Sequence, residues 1–172
     1  MTIWATLLAT AISTPQPAPS IPPLRFAAYL RSGVTLHLAP SQSIGGLGGG
    51  AGVRFLYSNL WVAQADCNYF TLVGHVGEVR FGAGIQRPGL WSPAALGTIS
   101  ILFGERLSFR TADHPWPGAG PVVTGGIVLA PLRFIRDNQT ISVLELGIGA
   151  KPDFPGVGLT YSIGILEIGR VF

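Results

Sequence analysis

From Leu24 onward, apolar and polar residues alternate with a period of two over long runs. In the stretch Leu24–Leu38 the even positions are Leu24, Phe26, Ala28, Leu30, Ser32, Val34, Leu36 and Leu38. The odd positions include Arg25, Tyr29, Arg31, Thr35 and His37. Successive side chains of a strand point to opposite faces, so this pattern predicts a strand with one apolar and one polar side. Strands of soluble sheets run to about 5–6 residues, and this run is more than twice as long.

Seven further runs follow. Residues 46–57 carry Ala51, Val53, Phe55 and Tyr57 on one side and Arg54 on the other. Residues 60–73 set Trp61, Ala63, Ala65, Cys67 and Tyr69 against Gln64, Asp66 and Asn68, and residues 76–86 set Val79, Phe81, Ala83 and Ile85 against Glu78 and Arg80. In residues 96–111, Ile99, Ile101, Phe103, Leu107 and Phe109 oppose Thr98, Ser100, Arg106 and Arg110; Glu105 breaks the apolar side, as a bulge or the edge of a lipid-facing zone would. Residues 121–135 are apolar on both sides, and Pro131 fits an internal strand poorly. Residues 140–150 place Leu144, Leu146 and Ile148 opposite Glu145, and residues 157–172 are apolar with Glu167 and Arg170 near the end. Short turns at 58–59, 74–75, 136–139 and 152–156 and Pro/Gly loops at 88–94 and 112–120 join them. The pattern predicts an all-β chain of about eight antiparallel strands.

Composition decides where such strands reside. Hydrophobic residues make up 48% of the chain and charged residues 11%, with a mean hydropathy of +0.45. A soluble domain carries about 25% charged residues, so this chain cannot wet a compact surface in the usual way. Disordered segments are polar and charge-rich, which excludes disorder. Cys67 is the single cysteine, which excludes a disulfide framework. Past the N-terminus, the longest charge-free stretches are residues 32–53 and 115–132, and prolines and a glycine run break both as helices. In lipid, only helices or closed barrels pair every backbone polar group, and a spanning strand needs about 9–11 residues.

These readings converge on a closed, antiparallel, up-and-down transmembrane β-barrel of about eight strands, apolar side outward and polar side inward. The inward set is Arg25, Arg31, Arg54, Asp66, Glu78, Arg80, Arg106, Arg110 and Glu145, six arginines against three acids. The lipid-facing set includes Phe26, Leu30, Phe55, Phe81, Ile99, Ile101, Phe103 and Phe109. Tyr57, Trp61, Tyr69, Trp91 and Trp116 are candidates for aromatic girdles at the interfaces. An eight-stranded interior is just wide enough for side chains to fill, so no open pore is expected.

Residues 24–172 form the barrel domain, and residues 1–23 read as a signal peptide and Pro/Ser-rich leader. Ile3–Ile12 is a short apolar run, and Ala9-Thr10-Ala11 supplies the small residues of a cleavage site, although no Lys or Arg precedes them. An apolar segment retained in the mature protein is the other reading.

The chain resembles the small eight-stranded outer-membrane β-barrel proteins of Gram-negative bacteria. The resemblance covers about residues 24–172 and rests on the strand architecture and on the terminal strand. In that family an aromatic terminal residue, with apolar residues at every second position upstream, is read by the barrel-assembly machinery. Phe172, Ile168 and Leu166 match, whereas Arg170 and Gly164 depart from the pattern. The resemblance implies a bacterial outer-membrane location, with both termini in the periplasm. It implies outer-membrane lipid, the assembly machinery and envelope proteins as partners, and a structural, anchoring or envelope-complex role.

Candidate chemistry is sparse. The net charge of +3 comes from ten scattered arginines and Lys151, without the basic patch that nucleic acid requires. No Cys/His spacing suggests a metal, and no cofactor motif is present. Residues 45–52 (GGLGGGAG) lack the Gly-Lys-Ser/Thr ending of a phosphate loop. His37, with Ser41 and Ser43 after it, leaves open a lipid-modifying barrel enzyme, since a hydrolase needs its base within about 2.6–3.2 Å of the nucleophile. A soluble periplasmic or secreted barrel, with the apolar side lining a ligand cavity, also stays open. The leading expectation is a barrel that is not an enzyme.

Overall fold

The computed structural model describes residues 24–71, 75–105 and 118–172. It contains nine strand segments: β1 (Leu24–Leu38), β2 (Ser43–Tyr57), β3 (Trp61–Phe70), β4 (Val76–Gln86), β5 (Ala94–Glu105), β6 (Gly118–Ala130), β7 (Arg133–Arg136), β8 (Gln139–Asp153) and β9 (Gly156–Val171). Successive strands from β1 to β6 pair antiparallel, as do β7 with β8 and β8 with β9; β1 pairs β9 and β6 pairs β8, so the sheet closes on itself. Closure removes the edges of a sheet, which is how a barrel satisfies its backbone groups without water. The fold is a closed antiparallel eight-stranded barrel.

Nine segments make eight staves because β6 and β7 share one. The expected single strand over residues 121–135 is interrupted at Pro131 and Leu132, and both halves pair with β8. Proline has no N–H to give to a ladder, so pairing lapses there. The Val143 N–H reaches across the gap to the Leu132 carbonyl at 2.8 Å. The loop before β5 seals the outer side of β7: the Ser92 N–H donates to the Arg133 carbonyl at 2.8 Å, and the Ile135 N–H to the Leu90 carbonyl at 2.9 Å.

Parity follows the sequence alternation. Leu30 is 69% and Ile99 55% exposed on the outside, whereas Arg54 and His37 are fully buried inside. In β6 the ambiguity resolves with Val122, Thr124, Val128 and Ala130 inward and Val123, Ile127 and Leu129 outward. β3, the shortest full stave at ten residues, is roughly 33 Å long at 3.3 Å per residue. Tilted by about 40°, that spans roughly 25 Å, the height of an outer-membrane apolar band.

Irregularities in two adjacent staves set the register of the interior. Leu144 of β8 and Ile165 of β9 are skipped in the pairing, which runs Val143↔Leu166 and then Glu145↔Gly164. Leu144 has φ of 70°, a left-handed conformation unusual for a leucine. One extra residue reverses the parity of everything beyond it. Ser142 and Glu145 therefore both face inward, as do Gly164 and Glu167, while Val143, Leu144, Ile165 and Leu166 all face out. Gly164 thus leaves the outward terminal pattern because the bulge turns it inward. In β5 the pairing with β6 also shifts between Leu102 and Gly104, just before Glu105.

The interior is layered. At the end carrying Leu24 and Phe172, here the proximal end, Ala27, Leu56, Val62, Ala94, Leu96, Val128, Ala130 and Val171 form an apolar layer. Toward the opposite, distal end, Ile44, Phe70, Val76, Leu102 and Val122 form a second one along β2–β6. Charged and amide side chains fill the space between.

Candidate functional site

The middle layer is an ionic network whose centre is a closed ring of four side chains from four staves. Arg31 of β1 contacts Asp66 of β3 at 3.2 Å and Glu145 of β8 at 2.8 Å. Arg80 of β4 contacts the same two carboxylates at 2.8 and 2.7 Å. Each guanidinium bridges both acids, and each acid bridges both guanidiniums. The Arg80 Nε donates a second bond to Asp66 at 2.9 Å, Gln64 Nε2 donates at 3.4 Å, and the Tyr29 hydroxyl donates to the other carboxylate oxygen. Gly52 makes that contact possible, since a Cβ there would collide with the Tyr29 ring and the Asp66 carboxylate. The glycine-rich start of β2 is thereby a wall element.

Beside the ring lies a second pair. Arg54 of β2 contacts Glu167 of β9 at 2.8 Å, and its guanidinium stacks 4.4 Å from the centre of the Tyr29 ring. Its Nε donates to Gln64 Oε1 at 3.3 Å, which links the pair to Asp66 through one amide. Arg133 of β7 approaches Glu145 at 3.6 Å with its side chain fully buried. Glu78 accepts from Asn68 Nδ2 at 2.8 Å. Among the described residues, four arginines (31, 54, 80, 133) face four acids (66, 78, 145, 167), so the formal charge of the layer is zero. An unpaired charge in a low-dielectric interior is far more costly than a paired one, so the balance is what permits this burial. Two cavities beside the network measure about 10 Å³ each, the size of a single water.

The structure brings Arg31, Arg54, Asp66, Glu78, Arg80 and Glu145 together. Arg25 lies elsewhere: it is half-buried at the proximal rim, where its Nη2 donates to the Asp137 carbonyl at 2.9 Å. Its place near the start of β1 puts it outside the layer that the network occupies. Arg106 and Arg110 lie outside the described residues, as do Phe109 and Trp116. Sequence reasoning missed Arg133 and Glu167 as inward charges: the break at Pro131 shifts the parity of Arg133, whereas Glu167 lies opposite the outward Leu166, Ile168 and Phe172 by simple alternation and was passed over in a strand read as apolar.

On the outer surface, Leu30, Phe55, Phe81, Ile99 and Phe103 are exposed, and Ile101 and Phe26 are partly so. At the proximal end Phe26 packs on Phe55 at 5.4 Å and on Phe172 at 6.1 Å between ring centres. The Phe172 backbone exchanges hydrogen bonds with Phe26 at 2.7 and 3.3 Å. Ile168 and Leu166 of β9 are exposed, as expected of an outward strand face, and Arg170 stacks over Phe172 at 5.6 Å. Tyr57, Trp61 and Trp91 are exposed near the proximal end and Tyr69 near the distal end. Cys67 is a free, exposed thiol on the outer face of β3.

The candidate catalytic residues are engaged otherwise. His37 Nδ1 pairs with Thr160 Oγ1 at 2.8 Å, inside the barrel. Ser41 instead donates its hydroxyl to Asp153 Oδ1 at 2.7 Å and its N–H to Oδ2 at 2.9 Å. Among the described residues, no group of three or more His, Cys, Asp or Glu side chains is arranged to hold a metal.

Neither protein-family models nor curated proteins give a match to the chain. Solved structures do. Neisserial surface protein A is similar at a TM-score of 0.55 and 9% identity, covering 85% of this chain and 96% of its own. The N-terminal β-barrel domain of Pseudomonas aeruginosa OprF is similar at a TM-score of 0.59 and 11% identity, covering 85% of this chain and 97% of its own. Both are small eight-stranded outer-membrane β-barrels, and the chain shares that fold.

Proposed function

We propose that the protein is an integral outer-membrane β-barrel with a structural role, as an anchor or as one component of an envelope complex, and without a conducting pore. One observation carries the reading: every stave presents an exposed large apolar side chain. These are Leu30, Phe55, Tyr69, Phe81, Ile99, Ile127, Ile148 and Ile168, one from each. Soluble monomers rarely expose so continuous an apolar surface. In lipid the same girdle is stabilising, and the charges that would oppose insertion are paired inside. The shared fold with two outer-membrane barrels supports it.

In this reading Phe26, Leu30, Phe55, Phe81, Ile99, Ile101 and Phe103 contact lipid. The proximal end faces the periplasm, and the barrel-assembly machinery reads Phe172, Ile168 and Leu166. Apolar layers and a neutral network fill the interior, which argues for a plug rather than a channel. A soluble barrel with an apolar ligand inside would need the apolar parity face turned inward, and the exposed residues lie on the other side of the wall. Separating envelope membranes by density and washing them at alkaline pH tests the proposal. Recovery in the outer-membrane fraction, resistant to the wash, is expected; recovery in the periplasmic extract overturns it.

A further inference from the structure

Outside the neutral interior the charges are unevenly placed. The proximal rim carries four arginines, Arg25, Arg87, Arg136 and Arg170, against one acid, Asp137, an excess of three positive charges. Among the described residues, the distal rim sets Lys151 against Glu105 and Asp153. Two of the proximal arginines are engaged with the β7–β8 turn: Arg25 donates to the Asp137 carbonyl, and Arg136 lies 3.8 Å from the Asp137 carboxylate. Arg87 and Arg170 are exposed, and among the described residues neither forms an ion pair. An aromatic ring holds each of them on the outer side of the wall. The Arg87 guanidinium lies 5.1 Å from the centre of the Trp91 ring. Trp91 is fixed against β7 by its bridge to Phe134 and by its Nε1, which donates to the Pro131 carbonyl at 2.9 Å. Arg170 pairs in register with Ala28 and Gln139, shares the outward face of β9 with Ile168, and stacks over Phe172. The two stacks flank the Arg136 turn, so the arginines form an arc along the β5–β9 side of the rim. The β2–β3 turn on the other side presents Tyr57, Leu60 and Trp61 and no charge.

We propose that this arc binds the phosphate groups of anionic phospholipids in the leaflet that the proximal end meets, with Arg87 and Arg170 as the principal contacts. The proposal rests on the outer-membrane reading. In lipid the outward residues away from the rim contact acyl chains, and the rim with its aromatic rings stands at the level of the headgroups. An arginine is heavily penalised at the bilayer midplane and little at that level. Stacking covers the face of a guanidinium and leaves its N–H edge free, and that planar edge matches two phosphate oxygens. All four rim cations are arginine rather than lysine, the side chain suited to such paired contacts. A zwitterionic headgroup brings its own cation and leaves the excess charge of the rim uncompensated, whereas an anionic one neutralises it. The same contact accounts for Arg170, which departs from the apolar pattern of the terminal strand.

Lipid association in vesicles tests it. The full chain is refolded into phosphatidylcholine vesicles holding a trace of spin-labelled phosphatidylglycerol or spin-labelled phosphatidylcholine, and the fraction of label immobilised at the protein is read. Each arginine near an anionic surface gains up to about fivefold in association, so a preference of about threefold or more for the anionic probe is expected. Arg87→Gln combined with Arg170→Gln is expected to remove most of that preference, the same pair changed to lysine to keep part of it, and Lys151→Gln at the distal rim to leave it unchanged. Equal association of the two probes, which would turn the rim toward an acidic partner in the aqueous space, overturns the proposal. A preference that survives the double change to glutamine, or that disappears with Lys151→Gln, also overturns it. Electrophoretic mobility before and after boiling, read on the same samples, separates the two ideas. A chain that inserts without lipid preference overturns this proposal alone, and one that does not insert contradicts the outer-membrane reading and the proposal with it.

Discussion

Asp66 is the residue on which the interior converges, because it accepts from Arg31, Arg80, Gln64 and Tyr29 at once. Asp66→Asn keeps the shape and removes the charge, leaving Arg31 and Arg80 to share Glu145 with Arg133. Breaking a buried ion pair from one side costs about 3–5 kcal/mol. Urea unfolding in micelles is expected to show a loss of that order, and a loss below about 1 kcal/mol would mean that water already screens the ring. Combining Asp66→Asn with Arg31→Gln should cost less than the sum of the two single changes, since each removes the other's stranded partner. Leu144 makes the second residue-level claim. Its φ of 70° is left-handed, where glycine is at ease and a β-branched residue is a genuine outlier. Leu144→Gly is expected to fold normally, and Leu144→Val to be less stable than Leu144→Gly by at least about 1 kcal/mol in the same assay.

At the scale of the element, the outward face of each stave carries the membrane reading. Phe81 of β4 and Ile99 of β5 sit opposite each other in the ladder, and both are more than half exposed. Ile99→Arg is expected to cost about 2–4 kcal/mol and to slow assembly into lipid, because a lipid-facing arginine near the bilayer midplane is penalised by that amount. If the substitution leaves folding into vesicles unchanged, Ile99 does not face lipid. How much of this was legible depended on where alternation ran unbroken. In β1, β3 and β4 a strict period of two identified both faces, and Arg31, Asp66, Glu78 and Arg80 followed from parity alone. The last staves were harder. Pro131 is a visible break, but which face resumes after it depends on two residues that leave the ladder. The break at Pro131 hid Arg133 and the bulge at Ile165 hid the inward turn of Gly164, whereas Glu167 could have been read from its alternation with Leu166 and Ile168. Arg25 shows the opposite error: its parity is right, and its depth at the end of the strand is not.

For the whole molecule, the layered interior makes a claim about transport. Apolar layers lie above and below a charge-balanced network whose flanking cavities hold about one water each. Reconstituted in planar bilayers, the protein is expected to give no stepwise conductance, and porin-like steps would show that the network does not seal the lumen. The larger claim is that one sequence pattern, apolar out and charged in, has folded for lipid rather than water. The measurement that tests it most directly is refolding of the urea-denatured chain into lipid vesicles, followed by electrophoresis of boiled and unboiled samples. Insertion with a mobility that changes on boiling is the predicted result. A chain that refolds to a soluble, monomeric species without vesicles, and shows no change on boiling, would contradict the account.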